Sequence, residues 1–303
     1  MTNSLPQNKV QKRLPKDVVS YLMLSPFLLF YVMSILIPLV VVFLMSFTEY
    51  NMFQSPIFVG VSNYTNIFIN DSIFITALTN TIYFAVITGP VSFVICFFIA
   101  WIINEFTPKL RAFITLIFYI PSISGTAYII WMLIFNPDYY GIANSVLIRL
   151  QIIKDPLVWF QDPSMSLNLL ILVQLWLSLG IGFLSFIAGL QNVDSELYES
   201  GAIDGIKNRW QELWYITLPA MKNMLIFAGL IQITAAFSVG DISMTLTGFP
   251  SIQYSAHTHS IHAYDYGLIR YEMGYASAVS VILFVMILFS YKLFNLLIRK
   301  MGE

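Results

Sequence analysis

The residues able to do chemistry in this chain fall in three places. A polar stretch at 191–221 carries Asp194, Glu196, Glu199, Asp204, Lys207 and Arg209 between two strongly apolar runs. Isolated polar and aromatic side chains stand inside apolar runs: Tyr119 and Ser122, Gln174 and Trp176, Gln232, Ser238 and Asp241. His257, His259 and His262 form a third group. None of these matches a catalytic pattern. There is no G-x-x-x-x-G-K-[ST] phosphate loop, no H-E-x-x-H and no Ser-His-Asp spacing, and Gly201 and Gly205 are followed by Ile206-Lys207 at the wrong distance for a phosphate cradle. The alternation of His257 and His259 admits a metal ion, but no cysteine accompanies them, and the expectation is no metal, no catalytic residue and no cofactor bound by this chain. Cys96, the one cysteine, lies in an apolar run and reads as a small buried hydrophobe.

The elements that position these groups are membrane helices. Hydrophobic residues make up 58% of the 303 positions and charged ones 10%, against about 25% charged in globular domains, and the mean hydropathy is +0.76. Apolar runs long enough to cross a bilayer lie near 20–47, 77–103, 111–135, 166–190, 222–245 and 273–298. The fold class expected is therefore an all-α polytopic membrane protein of six transmembrane helices. Residues 1–19 read as a cytoplasmic amino-terminal segment and 20–303 as a single transmembrane domain. The first run is longer than the ~7–15 residues of a secretory signal core, so it is expected to stay as a helix. Pro26, Pro38, Pro90 and Pro121 fall inside spans, where kinks are expected.

Orientation follows from the basic residues. With the amino terminus inside, the inner segments hold Lys9, Lys12, Arg13, Lys16, Lys109, Arg111, Lys207, Arg209, Lys222, Lys292, Arg299 and Lys300, and the outer ones only Arg149, Lys154 and Arg270. Both termini and the 191–221 loop are thus cytoplasmic. Long loops near 48–76, 136–165 and 246–272 face outward. The histidines then read as outer-loop residues meeting another protein, and 155–159, which includes Trp159, as a docking patch. Nothing basic enough for nucleic acid is present.

The 191–221 loop reads as helix, turn, helix. Asp194 suits an N-cap with Glu196 and Glu199 near the helix start. Gly201 and Gly205, four apart, would let another backbone approach one face. Asp204-Gly205 supplies a break, Trp210 and Trp214 anchor the second helix at headgroup level, and Pro219 opens the fifth span. These features serve an interfacial connector and a docking loop equally well.

The same residues resemble the EAA motif of binding-protein-dependent ABC importer permeases: Glu199-Ser200-Gly201, then Asp204-Gly205, then Ile216-Thr217-Leu218-Pro219, with Ser200 and Gly201 in place of two alanines. Phe58-Val59-Gly60 with Asn63-Tyr64, Asn80-Thr81, Asn136-Pro137, and Ala188-Gly189-Leu190-Gln191 are also similar to that family, in its maltose- and glycerol-phosphate-type carbohydrate branch. The resemblance implies a type I ABC importer permease fold in a bacterial inner membrane. It also implies a second homologous permease, two ATP-binding subunits that hold ATP and Mg, and an extracytoplasmic solute-binding protein. In this family the EAA loop couples ATPase closure to the membrane helices. Glu199, Ser200, Gly201, Asp204, Gly205, Leu218 and Pro219 are the residues implied here, Glu199 for polar contact and Gly205 for close packing and the turn.

Polar groups inside spans usually face a cavity or a neighbouring helix. Tyr119, Gln174, Trp176, Gln232, Ser238 and Asp241 are the substrate-path candidates, since amides, carboxylates and aromatic faces suit sugar hydroxyls and sugar faces. A same-family permease for a phosphodiester or polyamine is the alternative. An ion-coupled secondary transporter, which needs midplane carboxylates, is a third reading with only Asp241 to support it.

Overall fold

The computed structural model describes residues 16–300, with side chains from residue 20 onward. Of the segment expected at 1–19, residues 1–15 (with Lys9, Lys12 and Arg13) lie outside the described residues, and Lys16 already begins the first helix. Five helices are long and apolar enough to cross a membrane: Ser20–Met45, Ser72–Asn104, Ser166–Gln191, Lys222–Thr247 and Met273–Lys300. A bent pair, Pro108–Ile123 with Ala127–Ile134, completes six. In chain order these are spans 1 to 6, the bent pair being span 3. One departure from an all-helical chain is a two-residue antiparallel ladder, β1 (Thr48–Glu49) with β2 (Ile57–Phe58), pairing Thr48 with Phe58.

Span 1 carries no buried residue along its most apolar stretch. Its turn Val32–Leu36 widens to a π-helix just before Pro38, because proline has no N–H to return to the preceding turn. The same device recurs at Leu213–Thr217 before Pro219. Span 2 is unbroken through Pro90 over 33 residues, about 50 Å at helical rise. It forms the spine of the molecule. Phe97 and Ala100 on its cytoplasmic half pack with Phe183 and Phe186 of span 4 and Leu225 of span 5, while Phe84 joins Leu170 and Val173 in a separate outer cluster.

Spans 3, 4 and 5 break, and not at the prolines. Pro121 lies within a continuous helix, and the chain turns instead at Ser124-Gly125-Thr126, where Gly125 takes φ +62° and the two halves diverge by 84°. Span 4 breaks between Leu177 and Ile181, and span 5 between Phe237 and Asp241. Each break contains a serine and a glycine (Ser124 and Gly125, Ser178 and Gly180, Ser238 and Gly240), the other recognised cause of sharp kinks. Gly125 and Gly180 leave the helical region at the first two breaks, and Ser238 does so at the third.

Candidate functional site

The cytoplasmic loop is shaped by its own capping chemistry. Asp194 caps the helix Ser195–Ile203 by accepting from the Glu196 amide at 3.1 Å. At the other end Gly205 sits at φ +95°. The Ile206 amide reaches back to Gly201 O (3.0 Å) and the Gly205 amide to Ala202 O (3.4 Å), the double closure of a Schellman motif. Gly205 is therefore a turn residue. It does not share a helix face with Gly201, and a Cβ there would meet nothing within 4 Å in this chain. Close packing belongs to Gly201, where a Cβ would lie 2.6 Å from Ile216 Cδ1.

The second arm is held to the membrane bundle. Asn208 caps Arg209–Glu212 through the Gln211 amide (2.9 Å), and the Gln211 side chain accepts from the Lys207 amide (2.8 Å). This near-reciprocal cap was legible as Asn-x-x-Gln but was not read from the sequence. Arg209 bridges Glu105 at the end of span 2 (2.7 Å) and Glu212 (2.8 Å), and Trp210 packs on Trp101 with ring centroids 5.4 Å apart. Tyr198 joins the two arms by a hydroxyl contact with Thr217 at 3.0 Å. Leu218 and Pro219 then lead into span 5. Between the arms lies a cavity of about 520 Å³ bordered by Leu197, Ser200, Gly201, Asp204, Ile216 and Pro219. Glu199, Ser200, Asp204 and Gly205 are exposed on the helix and its turn, next to Ile203, an apolar side chain 87% exposed. Ile203 was missed, because one isoleucine in a polar loop carries no periodic signal.

The substrate-path candidates do not form one cluster. Gln232 is 4% exposed and its amide is engaged inside the chain: it donates to Ser178 O (3.2 Å) and Cys96 Sγ (3.3 Å) and accepts from Ser92 Oγ (3.2 Å). Ser178 O, released from the helical ladder at the span 4 break, accepts from the Gly180 amide (2.8 Å) as well as from Gln232, so Gln232 ties that break to span 5. Gln174 is buried in the outer half of span 4. Trp176 meets Trp131 edge to face at 5.7 Å. Tyr119 faces a cleft toward the cytoplasmic side with Gln191. Ser238 and Asp241 are exposed at the span 5 break, whose freed Val239 and Phe237 carbonyls accept from Thr258 (2.8 Å) and Ser260 (3.3 Å) of the outer loop.

The histidines are buried rather than displayed. His257, His259 and His262 are each at most 1% exposed, and no group of described residues could hold a metal. The ring nitrogens of His257 and His262 lie 3.2 Å apart, and His262 Nε2 stands 3.1 Å from Asp71 Oδ2, within ion-pair distance but outside hydrogen-bond alignment. Asp71 also accepts from Tyr266 (2.9 Å), Tyr275 (2.8 Å) and the Phe74 amide (2.8 Å), so it caps span 2 and anchors the outer loop together. Burial opposes the charge on Asp71, but these hydrogen bonds and His262 outweigh it and hold the carboxyl below its ordinary range. Burial, with His262 alongside, pushes His257 down to about 4, and burial brings His259 to about 4 as well.

Residues 108–303 match the family model described as binding-protein-dependent transport system inner membrane component. The arabinooligosaccharides transport system permease protein AraP of Bacillus subtilis is 33% identical over 288 residues, covering 90% of this chain and 86% of that protein. The lactose transport system permease protein LacF of Rhizobium radiobacter is 30% identical over 238 residues, covering 76% and 77%. Among solved structures, a bacterial ABC transporter involved in import of the acidic polysaccharide alginate superposes with TM-score 0.74 at 22% identity, covering 95% of this chain and 97% of that one. The match of the family model and the extent of these similarities lead to one conclusion: the chain belongs to the family of binding-protein-dependent transport system inner membrane components, as a carbohydrate-type ABC importer permease.

Proposed function

We propose that this chain is one of two permease subunits of an importer for oligosaccharides, driven by two ATP-binding partner subunits and supplied by an extracytoplasmic binding protein. The observation that carries the reading is the braced cytoplasmic loop. Its helix exposes Glu199, Ser200, Ile203 and Asp204, while Gly201 and Tyr198 tie that helix to the arm leading into span 5. A partner that seats this helix can push span 5 without melting the loop. ATP and Mg would be held by the partners, and this chain would bind neither.

Solute would pass where spans 3, 4 and 5 break, with Ser238 and Asp241 on the exposed side of the span 5 break and Trp176 offering an aromatic face. Gln232 serves the break and not the solute. The names of the relatives support an oligosaccharide over a polyamine or phosphodiester. Alternating access by rocking against the second permease would carry it inward.

Co-purification from the native membrane tests the assembly: recovery of a second permease and an ATPase supports the reading, and a transport-competent chain that needs no ATP sinks it. Uptake of labelled arabinose oligosaccharides, lactose and alginate oligosaccharides in reconstituted vesicles then tests the solute class. Transport of none of them, with a polyamine carried instead, would replace it.

A further inference from the structure

On the cytoplasmic side a cleft of about 380 Å³ opens between spans 3 and 4, bordered by Pro108, Arg111, Thr115, Tyr119, Leu184 and Gln191. Arg111 is the unusual residue there. Among the described arginines, Arg209 and Arg270 have carboxylate partners, and Arg149 and Arg299 are exposed in solvent or headgroups. Arg111 is half-buried, forms no ion pair with a described residue, and donates one Nη2 bond to Phe106 O at 3.2 Å. Its Nε is shielded and has no acceptor. A shielded donor without an acceptor is costly.

A second orphan lies one turn deeper. Buried threonines elsewhere in the spans, such as Thr81 and Thr88, bond the carbonyl four residues back. Thr115 Oγ1 does not, and it too is shielded and unpartnered. Arg111, Thr115 and Tyr119 recur at intervals of four, so they share one face of span 3. Pro108 is in the first turn of that helix, whose N-cap Thr107 makes no side-chain cap. The positive helix end adds to the field of Arg111.

We propose that this cleft binds the phosphate of an anionic phospholipid from the cytoplasmic leaflet. The phosphate supplies the missing acceptor for Arg111 Nε and for the Thr115 hydroxyl. The position selects a lipid over a soluble anion. Arg111 stands with Lys109 at the cytoplasmic end of span 3, at headgroup level. From there the cleft follows Arg111 to Tyr119, about 12 Å of helix, past Leu116, Leu184 and Ile187. A charged mouth followed by an apolar wall complements a headgroup followed by an acyl chain. The inference depends on the membrane location alone and not on the solute.

The test uses the full-length chain in its purified assembly, reconstituted in nanodiscs of phosphatidylcholine with and without phosphatidylglycerol. Native mass spectrometry measures which lipid is retained. Wild type should retain phosphatidylglycerol over phosphatidylcholine by about fivefold, Arg111→Gln should lose that preference, and Arg111→Lys should keep part of it. Thr115→Val should weaken it without changing charge. Equal preference in wild type and Arg111→Gln overturns the proposal, as does a wild type with no preference. Displacement of the lipid by millimolar inorganic phosphate overturns the lipid source and leaves a soluble-anion site. If Arg111→Gln fails to insert, an unchanged preference in Thr115→Val overturns it.

Discussion

The two polar segments on either side of span 5 are built in opposite ways. In the cytoplasmic loop the charged residues are outside: Glu199 and Asp204 are exposed, and the fixed parts are backbone caps and one buried glycine. In the outer loop the histidines are inside: His257, His259 and His262 are buried, and His262 closes on Asp71 with two tyrosines. The first helix of the cytoplasmic loop keeps its shape through local caps and leaves Glu199 and Asp204 free for a partner. Only that loop's second arm is tied to a distant element, span 2, through Arg209 and Trp210. The outer loop keeps its shape through contacts between residues far apart in the chain. Polarity therefore marks a docking surface in one loop and an internal strut in the other.

The sharpest way to break this contrast is Asp71→Ala. It removes the shared acceptor of Tyr266, Tyr275 and the Phe74 amide, and should cost roughly 2 kcal/mol or more through the buried donors left unpaired. Thermal unfolding in nanodiscs measures it, and an unchanged midpoint would show that the outer cluster contributes little.

Acid should act on the same region. His257 and His259, held near 4 by burial, are neutral in the fold and take up protons on unfolding below their ordinary 6.5. Their contribution is complete above about pH 6.5 and is withdrawn as pH falls toward 4. Asp71, Asp265, Arg270 and Tyr266 face the same cluster and set the remaining charge. Hydrogen exchange should show the outer loop loosening in that window while the cytoplasmic loop stays unchanged; parallel loosening of both would erase the distinction.

Gly205→Val should strain the left-handed turn by about 1–2 kcal/mol and cut ATP-coupled uptake with the chain still inserted. Gly205→Asn, which tolerates that conformation, should retain most uptake, and equal defects in the two would assign the loss to something other than the turn. Asn208→Ala should cost about 1 kcal/mol of local helix stability, read as faster amide exchange at Gln211. The smallest change in stability belongs to Glu199→Ala, within about 0.5 kcal/mol, yet uptake should uncouple from hydrolysis. Normal coupling in that variant would remove Glu199 from the docking surface.

The six candidate crossings and the helix-turn-helix of the loop were legible because each rests on local signals: apolar runs, and caps such as Asp194 and Gly205. The histidines were misjudged as displayed because a polar residue in a loop gives no local sign of burial. Proline similarly drew attention to position 121, whereas the break lies at Ser124-Gly125-Thr126.

What the sequence determined by itself is thus the set of candidate spans and the capped helix of the 191–221 loop, since hydropathy and capping act between neighbours in the chain. The tertiary structure alone decided where the spans break and which polar groups those breaks consume. A broken helix persists in a membrane only when its freed carbonyls find donors. Ser178 O adds Gln232, 54 residues away, to the local Gly180 amide, and for Val239 the donor is Thr258, 19 residues on. Such partners meet only when the bundle has assembled.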